Sequence, residues 1–201
     1  MQESRKGGQS TYDADKTRDE NNGYGIEINT QRFESFLKTG FISRSRPATS
    51  LGIQQQRSFH RLVSVYGLRD YVSEQLSYYA NSLYQSFIVN TRHTYTTGAS
   101  LTLERYEEQL NDSIFSRREV VPGVFFQYTY SDGEKINLIA GLRADHHNTF
   151  GTFFTPRLHL RYNFNAHTIL RLSAGKGFRS ANVLAENISL LASGKRIVFL
   201  T

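Results

Sequence analysis

The amino-acid sequence predicts an all-β fold: a stretch of antiparallel transmembrane β-barrel wall, with a short helix in one outer loop. Three observations carry this. From about Tyr24 onward the chain divides into strand-length segments whose apolar residues recur at every second position. Short, turn-like connections alternate with longer polar ones. No window approaches the roughly 18 consecutive apolar residues that a transmembrane helix needs, although 12 Tyr and 14 Phe make the chain aromatic-rich. A barrel-spanning strand needs only about 9–11 alternating residues, so the thinly spread hydrophobic content of 38% suits strands with one greasy and one wet face.

Taken in order, the first segments, near Gln31 to Ile42 and Leu51 to Tyr66, are the least regular. Further on, Val124, Phe126, Tyr128 and Tyr130 alternate with Phe125, Gln127 and Thr129. In Lys135 to Asp145, Ile136, Leu138, Ala140, Leu142 and Ala144 share one face, and Asn137, Gly141, Arg143 and Asp145 share the other beside Ile139. Pro156, Leu158, Leu160 and Tyr162 sort against Arg157, His159 and Arg161. Leu170, Leu172 and Ala174 sort against Ile169, Arg171 and Ser173. This gives about eight strands. Arginine and histidine on the second face suit a wide, wet interior, and eight strands close only a narrow barrel. The remaining wall is therefore expected outside these residues.

The connections follow a rhythm. Short ones fall at Asn90 to His93, Ser131 to Glu134 and Asn163 to Ala166, all rich in turn formers. Longer polar ones are expected at Gly67 to Glu74, Glu107 to Arg118, His146 to Gly151 and Lys176 to Gly194. Short turns on one side and long loops on the other are the habit of outer-membrane barrels. Tyr95, Tyr128, Tyr130, Tyr162 and Phe164 sit beside the short turns, where an interfacial aromatic girdle belongs. Ala181 to Ala192 reads as a helix, with Leu184, Ile188 and Leu191 at helical spacing and Gly194 placed to end it. Ile197 to Thr201 begins a further strand.

Several function classes find no support. The charge of +6 is scattered singly among acids, without the basic stripe that nucleic acid requires. Zero cysteines exclude a disulfide scaffold and thiolate metal sites. The N-terminal stretch has no apolar core to serve as a secretory signal, so for an exported protein the signal is expected upstream of Met1, or the chain is an internal piece. His146 and His147 are adjacent on an extended segment and should point to opposite faces, which suits a polar strand-to-loop junction better than a metal site. Gly175 to Ser180 lacks the Gly-Lys-Ser/Thr ending of a phosphate loop. No catalytic constellation and no cofactor site stand out.

The stretch from Pro122 to Arg196 resembles the barrel of TonB-dependent outer-membrane receptors, especially those of the Bacteroidota type. The likeness rests on PGVFFQYTY from Pro122, GLRADHHN from Gly141, TPRLHLRYNF from Thr155 and above all TILRLSAGKGFRSANVLAENISLLASG from Thr168. The resemblance implies a barrel of about 22 strands plugged by an N-terminal domain. It also implies import of a scarce solute such as a ferric siderophore, cobalamin or glycan, energised by TonB. Neither plug nor TonB box is recognisable here, so residues 1–201 are expected to be a partial barrel domain, without plug or closing strands, that does not transport alone. The expected partners are outer-membrane lipid, the plug, TonB through that plug, and a small solute, with no nucleic acid. Arg143, Arg157, Arg161 and Arg171 on the interior face, and His146, His147 and Arg179 at the outer rim, are the candidate plug or ligand contacts. A passive porin-like or structural barrel and a soluble all-β binding module are the alternatives.

Overall fold

The computed structural model describes residues 1–13, 15–16, 22–46, 48–165, 167–182 and 186. Nine strands run in sequence order: β1 (Gln2–Gly8), β2 (Gly25–Ile42), β3 (Ser50–Tyr66), β4 (Arg69–Ile88), β5 (Asn90–Leu110), β6 (Ser113–Ser131), β7 (Ile136–His147), β8 (Gly151–Asn163) and β9 (Ile169–Gly175). They form one antiparallel meander in which every strand pairs with its sequence neighbours, and β1 and β9 are the edges. The strand beyond the expected eight is β1, a polar segment with no apolar alternation that is held by its pairing to β2. The pair expected to be least regular, β2 and β3, is in unbroken register from Ile26↔Tyr66 to Ile42↔Ser50. No described helix is long and apolar enough to cross a membrane.

Register aligns the two faces across the sheet. Tyr95↔Tyr128, Phe126↔Leu142, Leu142↔Pro156, Ala140↔Leu158 and Leu160↔Leu172 all put apolar partners on one side. That side carries most of the exposed large hydrophobics, among them Phe33, Leu37, Leu76, Val124, Phe126, Leu142, Phe154 and Leu172. So large an exposed apolar surface requires an apolar environment. The other face carries Gln127, Arg143, Asp145, Arg157, His159, Arg161 and Arg171.

The connections differ from the expected rhythm. Gly67 and Leu68 form a two-residue turn, as do Asn111 and Asp112, and residues 148–150 link β7 to β8. The first residue of both two-residue turns is left-handed, with φ of 61° at Gly67 and 49° at Asn111, a conformation that Gly and Asn tolerate. The polar stretches read as loops at Gly67 to Glu74 and Glu107 to Arg118 are mostly strand. The strands β2 to β6 are 17–21 residues long, about twice what crossing a bilayer requires. They overrun the apolar band at this end and turn back in water, where nothing demands alternate apolar residues.

At the opposite end the aromatics sit against the turns. Tyr95 packs against Tyr84 and Phe126, Tyr162 meets Phe164 edge-on at 4.7 Å, and His93 lies against Tyr130 at 5.0 Å and bonds the Tyr128 hydroxyl at 2.7 Å. His93, expected at the end of a short connection, thus belongs to the aromatic ring on the apolar face. Outward positions from Tyr95 stay apolar or small through Leu103 and become charged at Arg105. That is the height of one tilted crossing of about 25 Å.

Both strand prolines sit where a ladder stops. The pairing of β6 with β7 begins at Gly123 and that of β8 with β9 at Arg157, one residue past Pro122 and Pro156. Their missing N–H groups fall on the side where those ladders end, and the Pro156 carbonyl still accepts the Lys176 N–H at 3.0 Å. Of the expected helix from Ala181 to Ala192, Ala181 and Asn182 are described and are not helical, whereas Glu186 is, and its N–H bonds the Asn182 carbonyl at 2.9 Å. The rest of that helix and the segment Ile197 to Thr201 lie outside the described residues.

Candidate functional site on the polar face

The polar face of β5 to β9 brings the predicted arginines onto one wall, because all of them occupy odd positions in strands of matched register. Their surroundings differ. Arg143 reaches Asp145 through two bonds of 2.6 Å and Ser100, two strands away, through a third of 2.6 Å. Gly123 makes room for this fork: a Cβ there would stand 2.0 Å from the Asp145 Oδ1. Arg157 donates to Gln127. Arg161 gives only its Nε to Asn163, at 3.2 Å, and lies directly opposite Arg171. Arg171 has no acidic partner among the described residues. Two like charges opposed across strands repel, so this pair is open to an anionic surface.

Nearer the hairpin end the same face holds a buried polar cluster. Glu119, 2% exposed, lies between Arg117, with Nε to Oε1 at 2.9 Å, and His147, with Nε2 to Oε2 at 3.3 Å. Those two contacts are at charge-pair distance but off hydrogen-bond alignment; the aligned bond is the Ser180 hydroxyl to Oε2, at 2.9 Å. His147, 1% exposed, accepts the backbone N–H of Thr149 at Nδ1, at 3.0 Å. In neutral His147 that leaves the proton on Nε2, facing Glu119. Arg117 stacks over Tyr106 at 4.4 Å and donates to the Ala181 carbonyl at 3.3 Å. Phe178 stacks on Phe153 at 3.7 Å. The chain after β9 is thus strapped across β6 to β8 on the polar face.

Beyond this cluster, Tyr66, Tyr71 and Leu110 form the small apolar core of the described residues, and the Tyr71 hydroxyl donates to Glu108 at 2.6 Å. Burial first, and then that bond, push the Tyr71 phenol above its ordinary range.

The rim candidates separate. His147 faces the polar cluster. His146 points to the apolar side and bonds Thr152 at 2.9 Å, as adjacent strand residues must diverge. Arg179 is exposed and pairs with Glu186 at 2.6 Å. Sequence reasoning missed Glu119 and Arg117, which lie at the edge of what read as a polar loop. The signal available was that strand alternation continues from Arg117 through Glu119 into the Val121 to Gln127 run.

One apolar face, one wet arginine-lined face and long paired overhangs describe a membrane barrel wall, and residues 2–193 match the family model described as TonB dependent receptor-like, beta-barrel. The chain belongs to that family. The TonB-dependent receptors are outer-membrane receptors of Gram-negative bacteria, and the family is one of transport, not of enzymes. No curated protein and no solved structure matches the chain. In a receptor barrel the apolar face is the lipid-facing outside, the arginine face lines the interior, and the overhanging hairpins are on the extracellular side.

Proposed function

We propose that residues 1–201 form part of the wall of an outer-membrane, TonB-energised receptor of Bacteroidota type that binds and imports a scarce solute such as a ferric siderophore, cobalamin or glycan. The remaining strands and an N-terminal plug are supplied by chain beyond these residues. The observation that carries this reading is the opposed pair Arg161 and Arg171 on the interior face, without an acidic partner among the described residues. A plug surface bearing carboxylates, or an anionic chelate, would satisfy it through planar multi-donor contacts. Arg143 and Arg157 are already engaged by neighbours of the wall and act as its braces. Arg179, His147 and the strap from Lys176 to Asn182 sit at the outer mouth, where a solute arrives.

The test is solute uptake by cells expressing the whole receptor, with and without TonB. Uptake lost without TonB, and reduced by Arg161→Gln with Arg171→Gln, is the expected result. Uptake indifferent to TonB would overturn the reading in favour of a passive porin-like barrel.

A further inference from the structure

The apolar band on the outward side of the sheet is interrupted at one place. Outward positions of β3 run Leu51, Ile53, Gln55, Arg57 and Phe59, and those of β2 beside them run Phe41, Thr39, Leu37, Ser35 and Phe33. Apolar residues lie on both sides of Gln55 and Arg57 along the strand, so an amide and a guanidinium stand inside the band. Arg57 stacks over Tyr78 at 5.5 Å. It has no acidic partner among the described residues, Glu34 being held by Arg32 and Glu74 by Arg61. Gln55 and Ser35 are exposed and make no side-chain hydrogen bond among the described residues. With Leu37 and Arg57 they line a groove of about 210 Å³. Beside it, the outward positions in register are small: Ala80 opposite Gln55, Ser82 opposite Ile53, and Ala99 opposite Ser82.

We infer that this patch is a contact between two copies of the receptor within the membrane, packed about a twofold axis that passes by the Gln55 side chains. Acyl chains offer no acceptor at this depth, so a polar side chain there is destabilised until protein supplies its partner. The Tyr78 ring covers one face of the guanidinium and leaves its N–H donors unmet. The occupant follows from the patch being complementary to itself. An amide carries donor and acceptor together, so Gln55 pairs with Gln55 of the second copy. The Gln55 carbonyl and the Ser35 hydroxyl of one copy are the acceptors that Arg57 of the other lacks at home. Phe33, Leu37 and Phe59 surround these groups with an apolar rim, and the small residues of β4 and β5 let the two walls approach closely. A twofold pairing makes every such contact twice. The inference rests on the apolar face being the lipid-facing one and is independent of which solute is carried.

The whole receptor is followed by native mass spectrometry in detergent and by cysteine cross-linking in vesicles, with no other cysteine in the chain. The expected result is a mass of two copies, and a disulfide between copies in Gln55→Cys under mild oxidation. Leu158→Cys, on the same face but on β8, gives none. Arg57→Leu with Gln55→Leu weakens the dimer at least about tenfold, the scale of losing polar contacts that occur twice across a membrane interface. Leu158→Ala leaves it unchanged. Heat-modifiable electrophoretic mobility confirms that each variant is folded. A receptor that stays a single copy at every concentration overturns the proposal. So does equal cross-linking at Leu158→Cys, a dimer indifferent to the double leucine variant, or a different protein seated on the patch. Uptake indifferent to TonB would sink the import reading and leave the dimer standing, so the two failures are distinguishable.

Discussion

The two ends of β6 obey different rules. At the turn end, Tyr128 and Tyr130 sit within a few residues of the connection, and the outward face stays apolar through Val120. At the hairpin end, the same strand carries Ser113, Ser116 and Arg118 and is held by its pairing to β5 together with the inward cluster of Arg117 and Glu119. The comparison teaches that backbone pairing sets how far these strands run, whereas side-chain chemistry marks only the part that lies in lipid.

An arginine placed on the same face of the same strand separates the two ends most sharply. Val124→Arg, in the band, should cost about 2–4 kcal/mol of unfolding free energy in lipid vesicles. Ile114→Arg, in the overhang, should stay within about 0.5 kcal/mol. Equal penalties would remove the distinction.

The overhang has its own anchor. Glu119→Ala strands Arg117 and His147 and frees the Ser180 hydroxyl, at a cost of about 2–3 kcal/mol in denaturant unfolding. Limited proteolysis should show faster cleavage in the strap from Lys176 to Asn182. Unchanged cleavage would mean that Phe178 on Phe153 holds the strap without the carboxylate.

Smaller effects distinguish the connections. Beyond β7, Asn148 continues the ladder: its side chain accepts from Val120 at 3.0 Å and donates to the Arg118 carbonyl at 2.9 Å. Asn148→Ala should cost about 1–2 kcal/mol by the same unfolding measurement. At the turn end, the Asp132 carboxylate accepts the backbone N–H groups of Ile136, Glu134 and Lys135 at 2.8–3.0 Å. Those bonds, Ile136 foremost, hold its pKa below the ordinary carboxylate range. The folded pKa being the lower one, its contribution is present above the unfolded pKa and is lost as pH falls through the folded value. Stability followed downward in pH should therefore fall less in Asp132→Asn than in the native protein. Identical acid limbs would contradict this.

The band was legible in the sequence because water and lipid on opposite faces impose period two, and that pattern placed Arg143, Arg157, Arg161 and Arg171 on one wall. The overhangs were not. In water on both sides, polar residues occupy both faces, so Glu107 to Arg118 carried no alternation and read as a loop although Asn111-Asp112 held the chemistry of a tight turn. Glu119 was illegible for another reason. Its role depends on His147 and on Ser180, which are remote in sequence and meet it only through the sheet register and the returning strap.

The central claim, that alternate residues of this wall face lipid and the wet interior, is tested most directly by single cysteines along β7, in a chain with no native cysteine. With the whole receptor in intact membranes, a water-soluble maleimide should label residues 137, 141 and 143 and spare 138, 140 and 142, while a lipid-confined nitroxide quenches fluorophores at the spared set alone. Uniform labelling along the strand, or quenching on the arginine side, would contradict it.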